Sequence, residues 1–240
     1  MVLHQRICAR CVIMHKQVKR MKSGILKPIK QVLWDWNGTL LDDLQYAIGV
    51  RNRIFPTFGL PTIDSLEEYH RQFTFPVKLY YERAGVTDAN FDQVAHAWMD
   101  EYVRGCAQIP LHEDAADAVH SFQSAGLRQV VLSASQLDIL RQQLGYYSVL
   151  DHAFDELLGL SDIYARSKEA IGQAYLQRCG IPACESVMLG DTLHDADVAK
   201  AIGTQCILIA RGHQSRKTLE SAGIPVCESL NEVAALILGE

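Results

Sequence analysis

Apolar residues follow two regimes along the chain. Beyond Pro110, short apolar runs alternate with stretches of helical period. The pattern predicts strands at 129–132, 153–158, 187–189 and 206–209 and another from 226. Helices are predicted over 113–125, up to about 144, and over 167–180, 195–202, 215–222 and 230–238. Before Pro110 only one run reads as a strand, Gln31-Val32-Leu33-Trp34, with a turn at Asn37-Gly38-Thr39 directly after Asp35. Residues 44–108 read as mostly helical. Leu44, Ile48, Phe55 and Phe58 keep near-helical spacing until Gly59-Leu60-Pro61 interrupts it. Pro76 suits the start of a helix that stops at Gly85. Asp88 suits the cap of the next, where Phe91, Val94, Ala95, Trp98 and Tyr102 share one face. Strands alternating with helices predict a parallel α/β, Rossmann-like sheet with right-handed crossovers and a helical insert after its first strand.

Composition narrows the class. The chain has 240 residues, 48% hydrophobic and 21% charged, which is ordinary for a globular protein and excludes a disordered or fibrous one. No apolar run approaches the roughly 20 residues of a membrane span. All 28 acidic residues and 15 of the 23 basic ones lie beyond residue 30. An acidic body with a basic leader is not the pattern of a nucleic-acid-binding domain. The seven cysteines are scattered and mostly lie in apolar runs, which suits reduced thiols and a cytoplasmic setting. Within the leader, His4, Cys8, Cys11 and His15 bring zinc to mind. Each histidine stands four residues from its nearest cysteine with no finger between, so residues 1–29 are read as a basic extension, a tail or a surface- or partner-binding helix.

Three predicted strands run out into a polar residue: Asp35, Ser133 and Asp191. In open α/β sheets ligands bind beyond the carboxyl ends of the strands, so these groups converge. The residues around them carry a resemblance. Asp35-Trp36-Asn37-Gly38-Thr39-Leu40 resembles the first motif of the haloacid dehalogenase superfamily, DxDGTL. Leu132-Ser133 resembles the second motif and Lys168 in Arg166-Ser167-Lys168 the third. Gly190-Asp191-Thr192-Leu193-His194-Asp195, with Ala199-Lys200-Ala201-Ile202-Gly203 after it, is similar to the fourth. The match covers about residues 30–240. The insert resembles the family's C1-type helical cap, and Phe73-Thr74-Phe75-Pro76-Val77 is similar to phosphoglycolate-phosphatase-like members. The implied division is an extension at 1–29, a core at 30–43 and 110–240, and a cap at 44–109 with hinges near 42–44 and 109–112.

The resemblance implies a Mg²⁺-dependent phosphatase that hydrolyses a small phosphorylated metabolite through an aspartyl-phosphate. Asp35 would be the nucleophile. Asp35, the Asn37 backbone carbonyl and Asp191 would hold Mg²⁺, and Asp195 would hold a metal-bound water or orient Lys168. Ser133, Lys168 and the backbone N–H groups of Gly38 and Thr39 would bind the phosphoryl oxygens.

Asn37 departs from the family pattern, in which an Asp protonates the leaving oxygen and then activates water. Such catalysis is worth about 10²–10⁴-fold. Three consequences stand open: a preference for good leaving groups, a substitute acid among His194, Asp42, Asp43 and the cap, or a phosphate-binding module with little turnover. Phosphonatase-like members carry Ala there and form an imine on a cap lysine, and Lys78 is the only lysine of the insert. Dehalogenase members work without metal, which the paired Asp191 and Asp195 argue against. Phe73, Phe75, Lys78, Tyr81 and Arg83 are the insert residues read as able to meet substrate.

Overall fold

The computed structural model describes residues 28–165 and 167–239. Residues 1–27 of the basic extension, with its His4/Cys8/Cys11/His15 cluster, and Arg166 lie outside the described residues.

Six strands form one fully parallel sheet in the order β3-β2-β1-β4-β5-β6. They are β1 (Gln31–Trp34), β2 (Arg128–Gln136), β3 (Glu156–Leu160), β4 (Ser186–Gly190), β5 (Gln205–Ile209) and β6 (Val226–Cys227). Strands buried on both faces read as continuous apolar runs, and Val32, Leu33 and Trp34 are fully buried, as are Val187, Met188 and Leu189. Trp34 packs on Phe122 and sends its indole N–H to Gln129 Oε1 at 3.0 Å, so the sheet's largest side chain leaves no polar atom unpaired. The strand order reverses between β1 and β4, the crevice where α/β sheets place ligands.

The first four helices, α1 (Leu44–Ile54), α2 (Leu66–Gln72), α3 (Val77–Arg83) and α4 (Phe91–Gly105), lie between β1 and β2 in sequence. They build an apolar cluster of their own around Phe55, Tyr69, Tyr81 and Val94. The two chain crossings into this insert lie side by side: Leu41 bridges Leu111 in antiparallel fashion, and His112 N–H donates to Leu40 O at 2.9 Å. The remaining helices are α5 (Ala115–Ser124), α6 (Leu137–Leu144), α7 (Glu169–Cys179), α8 (Leu193–Ile202), α9 (Arg216–Glu220) and α10 (Leu230–Leu238). Helix α10 buries Leu230 and Val233 completely, at roughly 1.5–3 kcal/mol each.

Two local expectations change. β2 does not end at Ser133 but runs on to Gln136. Its register against β3 shifts between Leu132 and Gln136, where Gly159 has no Cβ to collide with the backbone of Leu137. Asp88 is not a helix cap. Asn90 holds that position and accepts from Thr87 N–H at 2.8 Å, while Asp88 pairs with Lys78 at 2.5 Å. None of the five described cysteines is bridged, and no helix among the described residues is long and apolar enough to cross a membrane.

Candidate active site

One turn aims the first carboxylate. Trp36 O collects the N–H groups of Thr39, Leu40 and Leu41, and the Asn37 carbonyl stays outside the turn's own hydrogen bonds. Gly38 stands at φ 72°, the left-handed region open to glycine, and a Cβ there would also run into Asp191 and His213. Asp35 N–H is anchored on Leu189 O at 2.8 Å, which fixes Asp35 beside the end of β4. Asp191 follows β4 directly, and Gly212 must likewise lack a side chain to let Asp191 fit.

Asp35, Asp191, Asp195 and Lys168 form one buried cluster. The three carboxylates each offer an oxygen within 4.8 Å of the others. Lys168, just before α7, reaches Asp35 Oδ1 and lies 2.7 Å from Asp195 Oδ1. The other Asp195 oxygen accepts from Thr192 N–H at 3.0 Å and from Thr192 Oγ at 2.6 Å, so the side chain that closes the first turn of α8 also holds the lysine.

Burial pushes the Asp35 carboxyl up; Lys168 pulls against it, Asp195 and Asp191 add to it, and the result is about 8. Burial likewise raises Asp191 to about 7 against the pull of His213. For Asp195 the burial is outweighed by Lys168, which holds it below the carboxylate range. Burial would depress Lys168, but Asp195 and Asp35 hold its ammonium above its ordinary value. Ionised together, the three carboxylates would outnumber the cations Lys168 and His213 beside them, an excess that a bound cation would relieve. All-oxygen donors, with the Asn37 carbonyl left over by its turn, suit a hard divalent ion such as Mg²⁺.

Asn37 is fully engaged. Its amide nitrogen donates to Asp43 Oδ2 at 2.7 Å and to the Tyr102 hydroxyl at 2.8 Å, and its oxygen accepts from Ser135 Oγ at 2.8 Å. The Asp43 carboxylate fixes the amide's orientation, because the flipped form would set oxygen against oxygen. Asp43 also accepts from Gly38 N–H at 2.9 Å, from Tyr102 Oη at 2.8 Å, and pairs with His213 Nε2 at 3.2 Å. Burial raises its carboxyl, but His213 and these donors hold it below the carboxylate range.

The predicted residues do not all reach the site. Asp35, Asn37, Ser133, Lys168, Asp191 and Asp195 line one cavity of about 150 Å³. Gly38 and Thr39 do not line it. Gly38 N–H is spent on Leu41 O and Asp43, and Thr39 N–H on Trp36 O, because a turn this tight consumes its own donors. Thr39 Oγ instead sits 3.4 Å from Asp35 Oδ2. Of the insert residues, Phe73, Phe75 and Tyr81 line the cavity. Arg83 is exposed and donates to Gln72 O. Lys78 is an exposed lysine whose bond to Asp88 raises it, the opposite of what imine formation requires.

Sequence reasoning missed His213. It is 7% exposed, donates its backbone N–H to Asp191 Oδ2 at 2.5 Å, and sets Nδ1 2.7 Å from the Tyr69 hydroxyl of α2. Burial depresses it, but Asp43 outweighs burial and brings it to about 9. The signal was available, since Arg211-Gly212-His213 follows the carboxyl end of β5, where polar residues were sought after other strands. His194 does line the cavity, stacked on Phe75 at 4.6 Å, with burial and Lys168 lowering it.

A family model described as haloacid dehalogenase-like hydrolase matches residues 32–209, spanning every group of this cluster. The chain belongs to that family. It is 21% identical over 197 residues to a phosphoglycolate phosphatase of Synechococcus elongatus, covering 81% of this chain and 90% of that one. Its fold is shared with a predicted phosphatase of Clostridium acetobutylicum (TM-score 0.78, 20% identity, 89% of this chain and 100% of that one). It is also shared with CbbY of Rhodobacter sphaeroides in complex with phosphate (TM-score 0.67, 21% identity, 85% and 96%).

Proposed function

We propose that the protein is a Mg²⁺-dependent phosphatase of the haloacid dehalogenase type, phosphoglycolate-phosphatase-like, acting on a small phosphomonoester. The observation that carries this reading is the buried Asp35 carboxylate, held by Lys168 and flanked by Asp191 and Asp195 in a cavity under the insert. Asp35 and Asp191, with the Asn37 carbonyl, are the groups that would hold the ion. When bound, the ion supplies neutralisation of phosphoryl charge.

This chain's own groups do the rest. Asp35 attacks phosphorus, the bond to the ester oxygen breaks, and the phosphoryl group rests on Asp35 as an aspartyl-phosphate. Lys168 keeps its proton throughout, because two carboxylates hold it there, and acts as a fixed positive charge beside the phosphoryl oxygens. Ser133, 1% exposed, accepts from Ser135 N–H at 3.0 Å and keeps its hydroxyl proton for a phosphoryl oxygen. Asp195 positions Lys168 rather than meeting the substrate. The insert, residues 44–109, excludes water and selects the leaving group as a lid.

Asn37 gives no proton to the leaving oxygen, so turnover favours esters whose leaving groups depart as anions. Purified protein should hydrolyse aryl phosphates with Mg²⁺ and should lose that activity with chelator or in Asp35→Asn. Activity that survives the substitution overturns the assignment.

A further inference from the structure

Helix α1 puts a cation where its period calls for an apolar residue. Leu44, Ala47 and Arg51 share the buried face, and Arg51 is 1% exposed. Its guanidinium lies 4.4 Å above the Phe55 ring and 5.6 Å from that of Tyr80. Among the described residues its one hydrogen bond is from Nη2 to Gln72 Oε1 at 3.3 Å. Nε and Nη1 are buried with no partner. The Tyr80 hydroxyl lies close to the guanidinium but is itself without hydrogen-bond geometry to any group. The nearby carboxylate of Glu68 is occupied by Gln72 Nε2 and Asp64 N–H.

Buried arginine is rare unless it is paired. Stacking on a ring recovers part of what a desolvated cation loses, not all of it, and the three N–H groups on Nε and Nη1 stay unfilled. Arg51 belongs to the wall of the same cavity as Asp35, Ser133 and Lys168. Phe73, Tyr80, Phe91, Trp98 and Tyr102 line the same cavity, and their rings supply no counter-charge.

We propose that Arg51 is a specificity residue that receives a second anionic group of the substrate, a carboxylate or a further phosphate, carried away from the transferred phosphoryl group. The inference rests on the phosphatase reading for the first anion, while the second subsite stands on Arg51 itself. A planar guanidinium with a free fork of donors matches either oxyanion. The substrate class is then a phosphomonoester with two anionic ends and an apolar span along the ring-lined wall.

Binding of non-hydrolysable ligands tests this without turnover. Alkyl- and arylphosphonates of graded length are titrated calorimetrically with Mg²⁺, each bearing either a terminal carboxylate or its neutral carboxamide. A second arm replaces the carboxylate with a second phosphonate and so separates the two oxyanion sources. At one span or more the charged member binds at least about tenfold tighter in the wild type, the scale of one charge-assisted contact. Arg51→Met removes that preference and Arg51→Lys keeps part of it. Equal binding within every pair, absence of binding by all of them, or a preference that survives Arg51→Met overturns the proposal. The wild-type pairs are decisive even where the Met variant fails to fold. Failure of the phosphatase reading shows separately, as absence of Asp35-dependent hydrolysis of any phosphomonoester.

Discussion

Replacing Asn37 by Asp changes one atom type and should change which esters the protein cleaves. The amide nitrogen that becomes an oxygen lies 2.7 Å from Asp43 Oδ2. Two charges at that separation repel by about 6 kcal/mol at an effective dielectric of ~20. One pH unit represents about 1.36 kcal/mol, so the new pair keeps a proton across the neutral range, and the site gains an acid it lacks. A positioned general acid is worth about 10²–10⁴-fold. Part of that is forfeited because Asp43 shares the proton and already serves Gly38, Tyr102 and His213. The expectation for Asn37→Asp is therefore a gain of roughly tenfold or more in kcat/KM on an alkyl phosphate. An aryl phosphate, whose leaving group needs no proton, should change little. The assay is the ratio of the two kcat/KM values in wild type and variant under saturating Mg²⁺. An equal change for both esters refutes the reasoning, because it would mean that proton supply to the leaving oxygen is not what Asn37 withholds.

Two other substitutions probe the supports of the site. Lys168→Met leaves Asp35 and Asp195 without their shared cation; a calorimetric melt should show a loss of about 3 kcal/mol, and aryl phosphate hydrolysis should fall by about 10²–10³-fold. Asp114 pairs with Arg211 at 2.6 Å and accepts from Leu230 N–H at 2.8 Å, tying the loop that carries His213 to the start of α10. Burial raises its carboxyl, but Arg211 and the backbone donors outweigh burial and hold it below 3.8. A depressed acid stabilises the fold above its unfolded-state value and loses that contribution as pH falls through its folded-state value. Asp114→Asn should therefore cost about 1–3 kcal/mol at neutral pH, with the gap to wild type closing below about pH 4; denaturant melts at neutral and acid pH check this, and a gap that is constant with pH contradicts it.

Much of this arrangement was legible before any coordinates, for identifiable reasons. Strands buried on both faces write themselves as unbroken apolar runs, so β1, β4 and β5 and the helices between them could be placed. The positions of Asp35 and Asp191 followed from strand ends, and Lys168 from its motif. What stayed hidden depends on side chains meeting across long stretches of chain. His213 meets Asp43 across 170 residues and Tyr69 across 144, and periodicity carries no trace of such pairs. Nothing in the helical period separates a buried Arg51 from an arginine at the surface. The Gly38 and Thr39 donors were misjudged because a motif does not show how a turn spends its own N–H groups. Lys78 drew notice as the insert's sole lysine, yet Asp88 and Glu82 hold it at the surface. Asn37 could be seen to lack an acid; that Asp43, Tyr102 and Ser135 lock its amide in place could not.

The central claim is that Asp35 itself takes the phosphoryl group, and it can be read chemically at that residue. Protein turning over an aryl phosphate with Mg²⁺ is quenched in acid, reduced with borohydride and digested. Reduction converts a phosphorylated aspartate to homoserine. Peptide mass spectrometry should find homoserine at position 35 only when substrate and Mg²⁺ were both present. Hydrolysis that proceeds with aspartate intact there, or with the modification on another residue, contradicts the account.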